Sequence, residues 1–311
     1  MRVLSIPMRT RFRGITTREV ALIRGQGGWG EWSPFLEYDA RVAAPWLRCA
    51  EEAAAGRWPA PVRDRVPVNV TVPVVDPVTA HEIVQDSGCR TAKVKVAEST
   101  LVEDAARLEA VRHALGRDGL IRIDVNGLWD VDQAVTGIRE LDRAAGGLEY
   151  VEQPCATVEE LALVRRRVDV PIAADESIRR AEDPYRVRDL EAADVAVLKV
   201  QPLGGVAACL RIAEDIGLPV VVSSALETSV GIAAGVALAA ALPELHHACG
   251  LATVALLTDD VVFAPLLPPD GHLRVGPVEV DEAALDRLAA PADRVAWWER
   301  RLVDVRKDQG T

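Results

Sequence analysis

The stretch TAKVKVAE, residues 91–98, decides how the rest of the chain is read. Thr91 to Val96 are mostly small or β-branched, the composition of a strand, yet Lys93 and Lys95 sit inside it two residues apart. Side chains alternate between the faces of a strand, so both amines project from one face. Among 36 Lys plus Arg there are four lysines: Lys93, Lys95, Lys199 and Lys307. Arginine is the ordinary surface cation of this chain, so half of its lysines fall on one face of one apolar strand. On an edge strand such a pair would guard against aggregation. The neighbouring sequence places this strand elsewhere.

TAKVKV (91–96) is one of eight short apolar, β-rich runs. The others are VPVNVTVP (66–73), LIRIDVNG (120–127), LEYVEQP (148–154), PIAADES (171–177), DVAVLKVQP (194–202), LPVVVSSA (218–225) and HACGLAT (247–253). Segments such as VEDAARLEAVRHALG and DQAVTGIRELDRAAG lie between them, with apolar residues at three- and four-residue spacing and a glycine at the end. Alternating strands and helices predict an α/β fold, a TIM-type (β/α) barrel in which strand two is an interior member. The competing architecture is a doubly wound open sheet, but no glycine-rich phosphate fingerprint follows the first strand. Residues 1–65, with REVALIRG, GGWGEWSPF and DARVAAPWLRCAEEAAAG, read as a small α+β unit before a barrel at 66–261. Residues 262–311 carry Pro-rich turns, a possible strand HLRVGP and a short helix, and are expected to pack back on the first unit. VRKDQGT at the end reads as a solvated tail.

The composition is that of a globular protein with a large core: 311 residues, 49% hydrophobic and 27% charged. A net charge of −11 argues against a general binder of nucleic acid or anionic membrane. Cys49, Cys89, Cys155, Cys209 and Cys249 lack paired metal spacing and read as reduced thiols of a cytoplasmic protein. MRVLSIPMRTRFRG has no signal-peptide core, and VGIAAGVALAAALPEL (230–245) reads as a buried helix rather than a membrane span.

In such barrels the chemistry lies at the C-terminal ends of the strands. Those ends carry Lys93 and Lys95, then Asp124 with Asn126, Glu152, Asp175 followed by Glu176, Lys199, Ser223 with Ser224, and Gly250. Carboxylates on three adjacent strands, about 5 Å apart, repel one another in a water-poor site. A hard divalent cation with oxygen ligands, magnesium above all, resolves this, and the absence of His and Cys from the set disfavours zinc. Strands two and six are four apart in an eight-strand ring, so Lys95 and Lys199 are expected to face each other across the mouth. A substrate carboxylate on the metal would hold its α-carbon between two amines, with the metal stabilising the enediolate left by α-proton loss. Lysine can trade a proton where arginine cannot. Lys93 is expected to lower the pKa of Lys95 as a neighbouring like charge. One strand-end acid alone would read as a turn or cap; the ordered set reads as a catalytic constellation.

The pieces KVK (93–95), DVNGLW (124–129), VEQP (151–154), ADES (174–177), LKVQPLGG (198–205) and SSALETSVGI (223–232) resemble, in order, the enolase superfamily in its muconate-lactonizing subgroup. GWGEWSPF (28–35) resembles that family's capping domain. Within the subgroup, RTRFRGITTREVALIRG (9–25), SSALETS (223–229) and CGLATVALLTDDV (249–261) resemble the o-succinylbenzoate synthase family of menaquinone biosynthesis. The resemblance implies a (β/α)7β barrel with an α+β capping domain. It also implies magnesium-dependent syn dehydration of 2-succinyl-6-hydroxy-2,4-cyclohexadiene-1-carboxylate to 2-succinylbenzoate. Asp124, Glu152 and Asp175 would then be the metal ligands, Lys95 the base, and Lys199 a stabilising cation on the opposite face. Arg13 on the capping loop, Asn126, and Ser223 and Gly250 at the mouth would be substrate contacts. Gln153 stands where many relatives have a second Glu, at a position that is not a metal ligand. The same two lysines would equally suit an N-succinylamino acid racemase or a dipeptide epimerase. A non-catalytic metal- or anion-binding barrel would explain the acids but not the opposed lysines. The expected partner is a small-molecule carboxylate, with no nucleic acid or membrane; the oligomeric state, monomer or homo-oligomer, is left open.

Overall fold

β1 (Arg2–Phe12), β2 (Ile15–Gly25) and β3 (Gly28–Trp32) form an antiparallel sheet in a computed structural model that describes residues 1–179 and 183–309. Arg13 and Gly14 make the two-residue turn between β1 and β2 with φ of 50° and 77°, the positive values that tight hairpin turns demand. The helix Ala40–Ala54 begins where Asp39 accepts a hydrogen bond from the Val42 N–H at 2.9 Å. It lies so close on the sheet that a Cβ at Gly30 would come 1.9 Å from the Ala50 carbonyl oxygen.

The barrel follows. VPVNVTVP divides into β4 (Arg65–Pro67) and β5 (Val70–Val72). After these come β6 (Thr91–Lys95), β7 (Leu120–Asp124), β8 (Tyr150–Glu152), β9 (Ile172–Ala174), β10 (Val195–Lys199) and β11 (Val220–Ser223). Strands β5 to β11 are parallel neighbours in chain order, which rules out a doubly wound sheet, whose order reverses at a switch point. HACGLAT forms no full strand. It supplies single-residue parallel bridges, Val68 to Cys249 and Ser223 to Gly250, that close the ring from β11 to β5. Hydrogen bonds from Asn69 N to Cys249 O (2.9 Å) and from Gly250 N to Val222 O (2.8 Å) secure that closure.

Helices between the strands form the outer layer, among them Pro77–Asp86, Leu101–Leu115, Val131–Ala145 and Ser229–Ala241. Thr100 with Glu103 and Asp130 with Gln133 build capping boxes, and Gly146 ends the third of these helices in the left-handed conformation. The run 230–245 is largely a buried helix, and among the described residues no helix is long and apolar enough to cross a membrane. All five cysteines are buried and unpaired.

The segment after residue 262 divides between two places. β12 (His272–Arg274), within HLRVGP, pairs antiparallel with β4 at the barrel. Leu285, Leu288, Trp298 and Val305 instead share a core with Leu4, Ile6 and Trp32 of the first sheet. Trp298 meets Trp32 edge to face at 5.2 Å. The expected tail is corrected: the helix Ala292–Gln309 runs through VRKDQ. The cause is the i, i+4, i+7 spacing of Trp298, Leu302 and Val305, which turns one apolar face onto the capping sheet. Gly310 and Thr311 lie outside the described residues.

Candidate active site

Strand alternation stacks inward-facing residues in two layers. Lys93, Arg122 and Tyr150 form a lower layer; Lys95, Asp124 and Glu152 sit two residues further along the same strands. The register pairs Lys95 with Asp124 and Asp124 with Glu152, so the candidate acids and the first candidate amine share one level. Asp175 follows the last residue of β9, and Lys199 ends β10 opposite Ser223 of β11. The sheet order sets β6 and β10 four strands apart, with the three acids on the arc between them.

Five cations and five acids are engaged here. Lys95 Nζ donates to Asp124 Oδ2 and to Asn126 Oδ1, both at 2.6 Å. Lys93 Nζ bridges Glu152 (2.9 and 3.0 Å) and Asp124 (3.2 Å). Lys199 Nζ lies 2.6 Å from Asp175 Oδ2, while Arg179 Nε holds Asp175 Oδ1 at 2.8 Å and the Arg179 guanidinium reaches Glu176 at 2.5 Å. Below them, Arg122 is ion-paired with Glu149 at the floor of the barrel. Asp124, Glu152 and Asp175 are no more than 1% exposed. Burial would raise the pKa of Asp124, but Lys95 and Lys93 outweigh it and hold the acid well below the usual carboxylate range. Asp175 is held low in the same way, against burial, by Arg179 and Lys199. Glu152 is different: burial and then repulsion from Asp124 push it up to about 7. Burial opposes the charge on Lys93, yet Glu152 and Asp124 keep its pKa above the ordinary lysine value. Lys93 thus stands as a clamp on two acids.

A cavity of about 720 Å³ opens over this layer. Of the sequence-predicted residues, Lys93, Lys95, Asp124, Asn126, Lys199, Ser223, Gly250 and Arg13 line it. Glu152 and Asp175 lie behind that lining. Gly250 is a glycine for a steric reason, since an added Cβ would sit 2.5 Å from Ser223 Oγ. Asn126 has φ of 54° and its own N–H donates to Asp124 Oδ1 at 3.2 Å, so a strained strand end aims its side chain at Lys95. Gln153, at φ of 43°, turns its amide toward the next strand end. Its oxygen accepts from the Asp175 and Ser177 N–H groups (3.0 and 3.1 Å), and its nitrogen donates to Ser177 Oγ (2.7 Å) and Cys155 O (2.9 Å). A carboxylate could not donate to the Cys155 carbonyl, which accounts for an amide at this position.

The first sheet closes the mouth. Arg13 stacks on Phe35 at 3.8 Å and donates to Tyr38 Oη at 2.9 Å, so it is engaged within the capping unit while its hairpin lines the cavity. That hairpin sets the ring of Phe12 5.4 Å from Lys95 Nζ. Buried Arg18 donates to the carbonyls of Leu226 (3.0 Å) and Ala225 (3.2 Å), the loop after β11. Glu31 accepts from Thr228 N at 3.0 Å and Gly231 N at 3.2 Å, at the start of the helix Ser229–Ala241. Sequence reasoning missed Phe12, Arg18 and Arg179. Only Arg179 had a readable signal, its i+4 spacing from Asp175.

The donor set here suits a hard dication such as magnesium: three buried carboxylates at neighbouring strand ends, one pushed up to about 7 by burial and then by Asp124. Among the described residues, no three His, Cys, Asp or Glu side chains converge as a ready cage; the acid oxygens are turned onto the ammonium groups.

A family model described as enolase C-terminal domain-like matches residues 78–280, and one described as enolase N-terminal domain-like matches residues 3–54. The chain is 66% identical over 307 residues to an o-succinylbenzoate synthase of Thermobifida fusca, covering 98% of this chain and 95% of that one. It is 56% identical over 305 residues to an o-succinylbenzoate synthase of Mycolicibacterium smegmatis, covering 97% and 94%. Among solved structures it resembles muconate lactonizing enzyme from Pseudomonas fluorescens complexed with muconolactone, with a TM-score of 0.81 at 23% identity over 93% of this chain and 97% of that one. The last likeness speaks to the fold alone.

Proposed function

Because this chain belongs to the enolase superfamily, we propose that it is a magnesium-dependent o-succinylbenzoate synthase, a carbon–oxygen lyase. The observation that carries the reading is the pair Lys95 and Lys199, on strands four apart, each anchored to an outer member of a buried carboxylate triad. Relatives bearing that activity's name align over nearly the whole chain.

Asp124, Glu152 and Asp175 would hold the magnesium. When bound, it supplies positive charge against the charge that builds on the substrate carboxylate as the α-proton leaves. Lys95 takes that proton and returns it to the departing hydroxyl on the same face, so that C–H and C–O bonds break, the ring becomes aromatic and water leaves. Lys199 stays an ammonium and offsets charge from the opposite face. Asn126 aims Lys95, and Lys93 holds Asp124 and Glu152 in place. Phe12 limits water over the base, and Ser223, Gly250 and Arg13 shape the wall that meets the substrate. The same reading gives a cytoplasmic enzyme, consistent with five unpaired cysteines, whose segments 1–65 and 262–311 serve the barrel at 66–261.

The test is direct assay with the cyclohexadiene carboxylate and magnesium, following appearance of the aromatic product. Turnover of that substrate well above N-succinyl amino acids is expected. Efficient racemisation of N-succinyl amino acids with no dehydration would replace this reading with the racemase.

A further inference from the structure

Two of the five histidines meet on the outer side of the barrel. His81 lies in the helix Pro77–Asp86 after β5, and His113 lies in the last turn of Leu101–Leu115 after β6. His81 Nε2 is 3.0 Å from His113 Nδ1, and the ring centroids are 5.1 Å apart with planes tilted by 33°. A hydrogen bond between neutral rings is one use of this contact. The other follows from metal geometry. Two imidazole nitrogens bound to one ion at about 2.0–2.1 Å, at angles from square to tetrahedral, lie about 2.9–3.4 Å apart. The observed separation falls in that range. The pair faces solvent, so water can complete the coordination. A cation at this point also lies at the C-terminal end of Leu101–Leu115, where unpaired carbonyls favour positive charge.

We propose that His81 and His113 form a surface chelate for a borderline divalent transition metal of the copper, nickel and zinc class, clipping together the first two outer helices of the barrel. Imidazole nitrogen favours this class over magnesium, which demands oxygen. The site is therefore chemically separate from the carboxylate triad and does not depend on the function proposed above. Its role is structural, tying one helix to the next.

Copper(II) is the sharpest probe, because it binds most strongly in the series and its electron paramagnetic resonance reports nitrogen ligands. The full-length protein, saturated with magnesium, is titrated with copper at pH 7.5, alongside His81→Ala, His113→Ala and the double variant. The expected result is one equivalent with a two-nitrogen spectrum, weakened at least tenfold in each single variant and lost in the double. Enzymatic activity should stay at the wild-type level in all variants, which certifies their fold. Copper binding by wild type no tighter than by the double variant overturns the proposal. So does a two-nitrogen spectrum that persists in both single variants.

Discussion

At the residue scale, Lys95 and Gly250 carry the sharpest expectations. Lys95 is the only ammonium that touches both Asp124 and Asn126 among the described residues. Its replacement by alanine should lower kcat by about 10³-fold, within the span of a lost general base, with KM little changed. Lys95→Arg should be equally inactive, because arginine keeps its proton. Steady-state assay decides this, and a variant retaining a tenth of wild-type kcat would remove Lys95 from the role. Gly250→Ala places a methyl against Ser223 Oγ at a bridge that closes the barrel. We expect a loss of about 1–3 kcal/mol in urea unfolding, the usual size of an overpacking penalty, together with a raised KM. The chemistry at this scale was legible because strand ends in a parallel barrel converge. What was not legible is how each group is engaged. Lys93 looks like a second charge beside Lys95 in sequence, whereas in space it lies between Glu152 and Asp124.

At the scale of elements, the junction between the first sheet and the loop after β11 is the informative part. Glu31 of β3 is buried beside Glu227, and burial followed by that neighbour pushes its pKa up to about 7 from an ordinary 4.5. The folded protein therefore keeps a proton that the unfolded chain releases first. Stability attributable to Glu31 is present below about pH 4.5 and is lost as pH rises to about 7. The change is at most about 3.5 kcal/mol, from a rise of 4.5 to about 7 at about 1.4 kcal/mol per pH unit. Glu31→Gln should flatten that slope while keeping an acceptor for Thr228 and Gly231, as read from thermal unfolding across pH 4.5–7.5. An unchanged slope would exonerate Glu31. The strands and principal helices could be read from periodicity and caps. The splitting of VPVNVTVP and the reduction of HACGLAT to two bridges could not. Both depend on which partner strand offers hydrogen bonds, and that is decided by ring closure.

At the scale of the whole molecule, the prediction concerns the cation. Magnesium should raise the melting temperature, by up to the equivalent of about 2.7 kcal/mol at a hundredfold excess over its dissociation constant. EDTA should reverse that shift and abolish turnover, and Glu152→Gln should blunt both responses. Calorimetry with and without magnesium checks this; identical melting and activity in the two conditions would count against a magnesium enzyme. The sequence alone determined the barrel class, the ordered acids and lysines at its strand ends, and the separate opening unit. It could do so because periodicity and strand alternation are local properties of the chain. Tertiary structure alone decided that Arg18 and Glu31 bind the cap to the loop after β11, and that Phe12 covers Lys95. It also decided that the final helix completes the capping core and that His81 meets His113. These contacts join residues from 32 to more than 200 positions apart, and only the closed ring and the folding-back of both chain ends bring them within bonding distance.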